Sequence, residues 1–394
     1  MPACPDPESV RRLNRCEAMG VDIEHGGTLT VPATLDVSPT REVSVREAID
    51  HAGKLVAVVS SRLGHDAVRH REMARYLVAS LQTCRDEGAT LLVAEGTAIC
   101  TWARHAASVF GVPTLELPDS PDRDARLIAI ADRVDAVHVR SSGKVMKLLR
   151  QRMELKDGWV HVAIDTVTRN LLGLGAVGRY LPKEESDAVE QASASILAAD
   201  DVDWTQYLVH CTRAVNGPWP GQSGSQYRTD MMLGDAETAS RDTLATLRHI
   251  VRQRRLIAGA RTSNRDCPVV CFSSVPLPEL LARRTYRSHL HRWDYEPFGI
   301  ALARDMAMTI GIMPVVYGDR ETATTLPANE RFRFQSTGKT EDWTAEQEYR
   351  GLGDLDLATL ERDRVLVFVP DRSTGLFIAP LAHQAGWSIV VTES

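Results

Sequence analysis

From Lys54 to Ile164 the chain repeats one pattern: a short apolar run, a polar turn, then an amphipathic stretch. The apolar runs are Leu55–Val59, Thr90–Ala94, Val112–Leu117, Ala136–Arg140 and Trp159–Ile164. Each is strand-length, and most are apolar at successive positions rather than alternate ones, which marks strands buried on both faces. The stretches between them have helical spacing. Ala67–Glu87 carries Met73, Leu77 and Leu81 on one face, Ile99–Phe110 ends at Gly111, and Ala125–Arg133 and Lys144–Arg152 follow. Strands alternating with helices at this spacing predict an α/β fold with a doubly wound, parallel, Rossmann-like sheet.

After Ile164 the pattern changes. Residues 166–203 hold no clear strand, and the Ala- and Ser-rich segment Glu184–Ala199 reads as a helical connector. From Trp204 the expected strands are Tyr207–Thr212, Val269–Ser273, Phe298–Ala303, Met313–Tyr317, Val365–Val369 and Ser388–Thr392. One helix, Asp242–Leu256, is strongly amphipathic, and long polar loops cover Asn216–Asp235 and Gly318–Asp342. The chain therefore divides into a lead-in of strand and loop (1–52), a nucleotide-binding domain (53–165), a connector (166–203) and a separate α+β domain (204–394).

The balance of 46 basic against 52 acidic residues gives a net charge of −6, which argues against a surface that is nucleic-acid-binding throughout. No apolar run is long enough to span a bilayer, and Met1–Gly20 lacks the apolar core of a secretory signal, so no membrane is expected. The seven scattered cysteines suit a reduced, cytoplasmic setting. Cys267 and Cys271 are close in sequence but have no second close pair, and no metal is expected.

Three turns follow buried strands and open helices: Ser60-Ser61-Arg62, Glu95-Gly96-Thr97 and Ser141-Ser142-Gly143-Lys144. In a parallel sheet all three lie at the carboxyl edge, where ligands bind. Free N–H groups at helix starts favour anions, and small residues let a phosphate approach. Ser60, Ser61, Arg62, Gly96, Thr97, Ser142, Gly143 and Lys144 are thus the candidate nucleotide-binding residues.

Val56–Arg62, Gly88–Ile99 and Gly111–Leu117 together resemble the SLOG superfamily, which includes the DNA-processing protein A family and the lysine-decarboxylase-like nucleotide hydrolases. The resemblance covers roughly residues 53–165 and departs from the family in two places. Ser60 replaces the first Gly of the Gly-Ser-Arg turn, and the hydrolase signature is reduced to Glu95-Gly96-Thr97, with Trp102 near where a catalytic Glu is expected. The resemblance implies binding of a nucleotide or an NAD-derived signal rather than hydrolysis, and assembly as a homo-oligomer.

In the second domain His210 and Thr212 share one face of a strand, Arg213 follows, and Glu346 and Glu348 sit two apart in Trp343–Arg350. His-x-Thr on a first strand, an intervening helix, a Val-Cys-Phe-Ser strand and a late Glu resemble ADP-ribosyltransferase-like domains. Trp293–Tyr317 with Trp343–Arg350 is also similar to bacterial families linked to phage abortive infection. By that resemblance NAD or another nucleotide is the cofactor. Glu346 or Glu348, with His210, would be catalytic, Thr212 would hold the dinucleotide with His210, and Arg213 would pair phosphate. Tyr286, Trp293 and Tyr295 are the aromatics available to stack on nicotinamide. Cleavage of a nicotinamide–ribose bond develops positive charge that a carboxylate can offset.

The segment Arg283–Trp293 gathers Arg283, Arg284, Arg287, His291 and Arg292 beside aromatics. It supports a second reading, a non-catalytic sensor whose C-terminal domain binds nucleic acid or a protein partner. A third reading is an N-glycosidase acting in the N-terminal crevice.

Overall fold

The computed structural model describes residues 6–23, 28–31, 41–44, 46–47, 53–118, 120–182, 195–259, 267–287, 292–337 and 343–393. The chain forms two compact units. One comprises Met1–Ser186 with Asn216–Ser240, the other Asp187–Val215 with Arg241–Ser394.

The first unit holds β1 (Leu55–Ser60), α2 (Ala67–Asp86), β2 (Thr90–Ala94), α3 (Cys100–Phe110), β3 (Thr114–Leu117), α4 (Arg123–Ile130), β4 (Arg133–His138), α5 (Lys144–Glu154), β5 (Trp159–Ala163), α6 (Arg169–Gly173) and β6 (Val177–Arg179), preceded by helix α1 (Pro7–Ala18). The six strands are all parallel, in the order β3-β2-β1-β4-β5-β6. This is the doubly wound Rossmann-like arrangement. Alternate residues of β1 feed different cores. Leu55, Ala57 and Val59 pack with α4 and α5, and Val56 and Val58 pack with α2 and α3. The loop after β1 therefore leads to one face of the sheet and the loop after β4 to the other, and the strand order reverses between β1 and β4.

Helix α1 replaces the lead-in of strand and loop expected over its residues. Arg12 and Arg15 are 2% and 3% exposed. Arg12 grips Asp132 with two hydrogen bonds, at 2.9 and 2.7 Å, and Arg15 donates to the carbonyls of Ala129 and Ile130 and to Asp157. Two inward-facing arginines disguise the buried side of this helix in the sequence. A two-stranded ribbon pairs Thr28–Val31 with Arg41–Ser44.

Strand β4 starts at Arg133, three residues before the apolar run read from sequence. Arg133 and Asp135 are both buried, because each charge is met inside the core. Arg133 reaches Glu87 and Asp135, and Asp135 takes Ser80 and lies 3.2 Å from His161 Nδ1. Burial alone pushes the Asp135 carboxyl up, but His161, Arg133 and Ser80 outweigh it and hold it below the ordinary carboxylate range. The first unit also includes α7 (Gly224–Leu233), whose Tyr227, Met231 and Met232 are buried with Met73, Leu77 and Trp102.

The second unit is built on a mixed eight-stranded sheet. Its strands are β7 (Ile196–Ala198), β8 (Tyr207–Cys211), β9 (Val269–Ser273), β10 (Gly299–Ala303), β11 (Met313–Pro314), β12 (Glu348–Leu352), β13 (Val365–Val369) and β14 (Ser388–Val391), in the order β11-β12-β9-β8-β10-β13-β14-β7. Pairing is antiparallel from β11 to β13 and parallel from β13 to β7. Helices α8 (Thr243–Gln253) and α10 (Arg372–Ala385) contribute to one core, with Leu208, Phe272, Ile300 and Val367. Helix α9 (Leu277–Ala282) contributes to the other, with Val209, Ala301 and Phe368.

Strand β7 corrects the reading of Glu184–Ala199 as helix at its end. Ile196–Ala198 pair with Ile389–Val391, and sheet pairing overrides a weak local preference. Residues 183–194 of that segment lie outside the described residues. No helix among the described residues is long and apolar enough to cross a membrane.

Candidate functional site

In the first unit the loops after β1 and β4 meet where the strand order reverses. The backbone N–H of Ser61 donates to the His138 carbonyl at 2.7 Å, and the Ser61 hydroxyl accepts the Arg140 N–H at 3.1 Å. The Arg140 guanidinium donates to the Arg62 carbonyl at 2.7 Å. Ser60 turns its hydroxyl onto the Ser61 carbonyl at 2.7 Å. The two serines are buried and stitch the crevice floor, while Arg62, Arg140, Ser142 and Lys144 are exposed around it. Helix α5 opens here after Gly143, and no side chain caps its N-terminus. Lys144 reaches the Pro121 carbonyl at 2.9 Å and lies 3.7 Å from Asp122 in the loop before α4.

Ser60, Ser61, Arg62, Ser142, Gly143 and Lys144 are thus brought to one crevice. Gly96 and Thr97 follow the neighbouring strand β2. Gly96 takes φ +73°, which a residue with Cβ adopts at a cost, and the Thr97 hydroxyl is turned back onto the Ala94 carbonyl at 2.9 Å.

Sequence reasoning missed His138, the last residue of β4. Its Nε2 is buried and has no hydrogen-bond partner among the described residues. Burial first, then the charges of Arg69 and Arg140, push the imidazole below its ordinary pKa. The signal available in the sequence was its position, three residues before Ser141 of the Ser-Ser-Gly-Lys turn, on the strand that flanks the reversal.

In the second unit strand alternation separates the candidate residues. His210 lies on the Leu208–Phe272 face, with ring centroids 5.5 Å from Phe272. Its Nδ1 is 2.8 Å from the Cys271 carbonyl, so Nδ1 carries the proton and Nε2 is left as an acceptor. Burial pushes this imidazole down. Thr212 is 2% exposed and its hydroxyl has no partner among the described residues.

Cys211 and Tyr295 belong to the opposite face, with Val209. The Tyr295 hydroxyl donates to Glu346 Oε1 at 3.3 Å, and Glu346 feels the charges of Glu348, Arg213 and Asp294. Burial first, then the Glu348 charge, pushes the Glu346 carboxyl up. Arg213 also donates to the Asp294 carbonyl at 3.2 Å. The structure therefore brings Arg213, Glu346, Glu348 and Tyr295 together and leaves His210 on the other side of the sheet.

The two glutamates differ sharply. Glu348 is held by Arg350 through two hydrogen bonds of 2.9 Å each. Arg350 is itself 1% exposed and donates to the Phe334 carbonyl and Gln335. Glu346 has the Tyr295 hydroxyl alone as its side-chain partner among the described residues.

In the basic segment Arg283 pairs with Glu279, Arg284 with Glu296 and Arg287 with Asp294. Arg284 also stacks over Trp293 at 4.5 Å. His291 lies outside the described residues, and Arg292 is placed only as part of a short strand pair with Arg287. Tyr286 and Trp293 pack edge to face, at 5.3 Å between centroids, in that same pair. No group of three or more His, Cys, Asp and Glu side chains gathers as a metal site among the described residues.

No family model matches the chain, and no curated protein matches it. Among solved structures it is similar to DNA processing protein A (DprA) from Streptococcus pneumoniae, at 15% identity and a TM-score of 0.25. That match covers 32% of this chain and 58% of the other, so it spans little more than half of that protein. The fold assignment rests on the strand order itself.

Proposed function

We propose that the first unit binds a nucleotide, with its phosphate in the crevice between the β1 and β4 loops. One observation carries this reading: the strand order reverses between β1 and β4, and there the loops of Ser60–Arg62 and Val139–Lys144 meet beside an uncapped helix N-terminus. The Lys144–Val145–Met146 N–H groups and the exposed Arg62, Arg140 and Lys144 side chains supply donors and positive charge for an anion. His138 stands at the end of β4, where its carbonyl accepts the Ser61 N–H. The test is mass spectrometry of small molecules released on denaturation, with AMP titrated calorimetrically as probe. A released nucleotide, and AMP binding weakened at least about tenfold by Arg140→Ala with Lys144→Ala, is expected. No released nucleotide and no difference between the proteins would overturn the reading.

A second reading concerns the second unit, and one observation favours it: of two carboxylates close together, Glu348 is committed to Arg350, whereas Glu346 is half-buried and among the described residues has Tyr295 alone as side-chain partner. We propose that Glu346, with Tyr295 and Arg213, acts on the glycosidic bond of an NAD-type dinucleotide. As the nicotinamide–ribose bond breaks and nicotinamide leaves with the bonding pair, a carboxylate there offsets the positive charge developing on the ribose; water then bonds to the ribose carbon and gives up a proton, leaving ADP-ribose, while Arg213 pairs with phosphate. His210, on the other face, plays no part in this step. Loss of NAD consumption in Glu346→Gln with retention in His210→Gln is expected, and NAD left intact by the wild-type protein would sink the reading.

A further inference from the structure

We propose that the second unit carries a binding site for a small zwitterion, a free aliphatic α-amino acid, off the carboxyl ends of β14 and β7. Every residue that lines it belongs to that unit, and the site depends on neither function proposed above.

Strands β13, β14 and β7 run parallel and side by side. Helix α10 carries the chain from β13 to β14, so this end of the mixed sheet is a small α/β arrangement. In such arrangements ligands sit outside the carboxyl ends of the strands. A cavity of about 300 Å³ lies there, where Thr392 and Glu393 leave β14 and Ala199 and Asp200 leave β7. Both exits are pinned. The N–H groups of Thr392 and Glu393 donate to the carbonyls of Val369 and Pro370, at 3.0 and 2.7 Å, and the Ala199 carbonyl accepts Trp204 Nε1 at 2.9 Å. At ~30 Å³ for each water-sized group, the space takes roughly ten non-hydrogen atoms, at the small end of ligand sites and the size of an aliphatic amino acid.

The walls offer three kinds of surface. Leu277, Pro278 and Leu281 of α9, with Pro297 just before β10, form an apolar side. Leu277 is fully buried and packs with Val209 and Phe368, which fixes that side on the sheet. Asp200 and Glu393 are exposed at the rim. The neighbouring Asp201 and Asp203 are spent on the N–H groups of Ala198 and Thr205, whereas the Asp200 carboxylate makes no such bond among the described residues.

Arg284 completes the lining. Its guanidinium is held in place by Trp293, 4.5 Å away, and by Glu296, which accepts from Nη2 at 2.6 Å. Its Nε is buried and has no hydrogen-bond partner among the described residues. An N–H withdrawn from water without an acceptor is costly, and a ligand carboxylate supplies one in a charge-assisted bond. The carboxylate of the amino acid therefore goes to Arg284, its ammonium to Asp200 and Glu393, and its side chain to the leucines and prolines. A plain amine or a plain carboxylic acid meets only one end of the site.

Titration calorimetry of the full chain with L-leucine tests this. Saturable binding is expected, with isopentylamine, which lacks the carboxylate, and isocaproate, which lacks the ammonium, each at least about tenfold weaker. Asp200→Asn combined with Glu393→Gln should weaken leucine about fivefold and leave isocaproate unchanged. Arg284→Lys should weaken leucine about tenfold and leave isopentylamine unchanged. Arg284 also pairs with Glu296, so if that variant fails to fold the rim variant, changed only at exposed positions, decides the matter. No saturable leucine binding, isopentylamine binding as tightly as leucine, or a leucine affinity indifferent to the rim substitutions would each overturn the proposal. None of these outcomes bears on the AMP and NAD experiments above.

Discussion

The Ser61 hydroxyl accepts the Arg140 backbone N–H at 3.1 Å, joining two loops that lead to opposite faces of the sheet. Ser61 is 9% exposed, so this bond is made largely out of water. It sets the separation of the two loops and hence the width of the crevice.

Ser61→Ala leaves the Arg140 N–H unpaired. It should lower stability by about 1–3 kcal/mol in urea unfolding. It should also weaken AMP binding, although the Ser61 side chain is spent on Arg140. Unchanged AMP affinity at reduced stability would show that the stitch serves only the fold.

Glu346→Gln should raise the melting temperature at pH 7. The folded carboxyl is pushed up by burial and by Glu348, so its favourable contribution is complete only below the unfolded value of about 4.3 and is lost as pH rises through the folded value. The gain of the Gln variant should accordingly vanish in melts below about pH 4. A variant less stable than wild type at pH 7 would contradict this account.

Glu348→Gln should behave in the opposite way. It strips the bidentate partner from Arg350, a guanidinium 1% exposed. Leaving a buried charge without its counter-ion costs about 3–5 kcal/mol. Chemical denaturation of the two Gln variants side by side separates a structural glutamate from an uncommitted one.

Asp135→Asn should destabilise the first unit by about 3–5 kcal/mol at pH 7, because Arg133 loses its innermost partner. The folded carboxyl is held low, so its contribution is present above the unfolded value of about 3.9 and is lost as pH falls through the folded value. The gap between wild type and variant should therefore narrow in acid-unfolding curves below about pH 4. A gap independent of pH would mean that Asn fails through shape rather than charge.

Much of the first unit was legible because Leu55–Val59 and Thr90–Ala94 are buried on both faces and read as continuous apolar runs. The start of β4 was hidden because Arg133 and Asp135 look like a helix end until Ser80, Glu87 and His161 arrive from elsewhere in the chain. Helix α1 was hidden for the same reason, since the partners of Arg12 and Arg15 are distant in sequence. The pairing of His210 with Thr212 on one face was readable from strand alternation. Their separation from Glu346 was not, because it depends on which face the Tyr295 segment covers. Nor does the sequence distinguish Glu346 from Glu348. Glu348 opens β12 whereas Glu346 ends the turn two residues before it, and the buried position of Arg350 completes the difference.

The clasp between Arg12 and Asp132 spans 120 residues. During synthesis at roughly 5–20 residues per second, α1 therefore waits about 6–24 s before the carboxylate that receives it has been made. Over that interval Arg12 and Arg15 face water, where they are well hydrated and repel one another. The helix is thus made well before the carboxylate that receives it, and the charges that secure it at the end also keep it soluble while it waits.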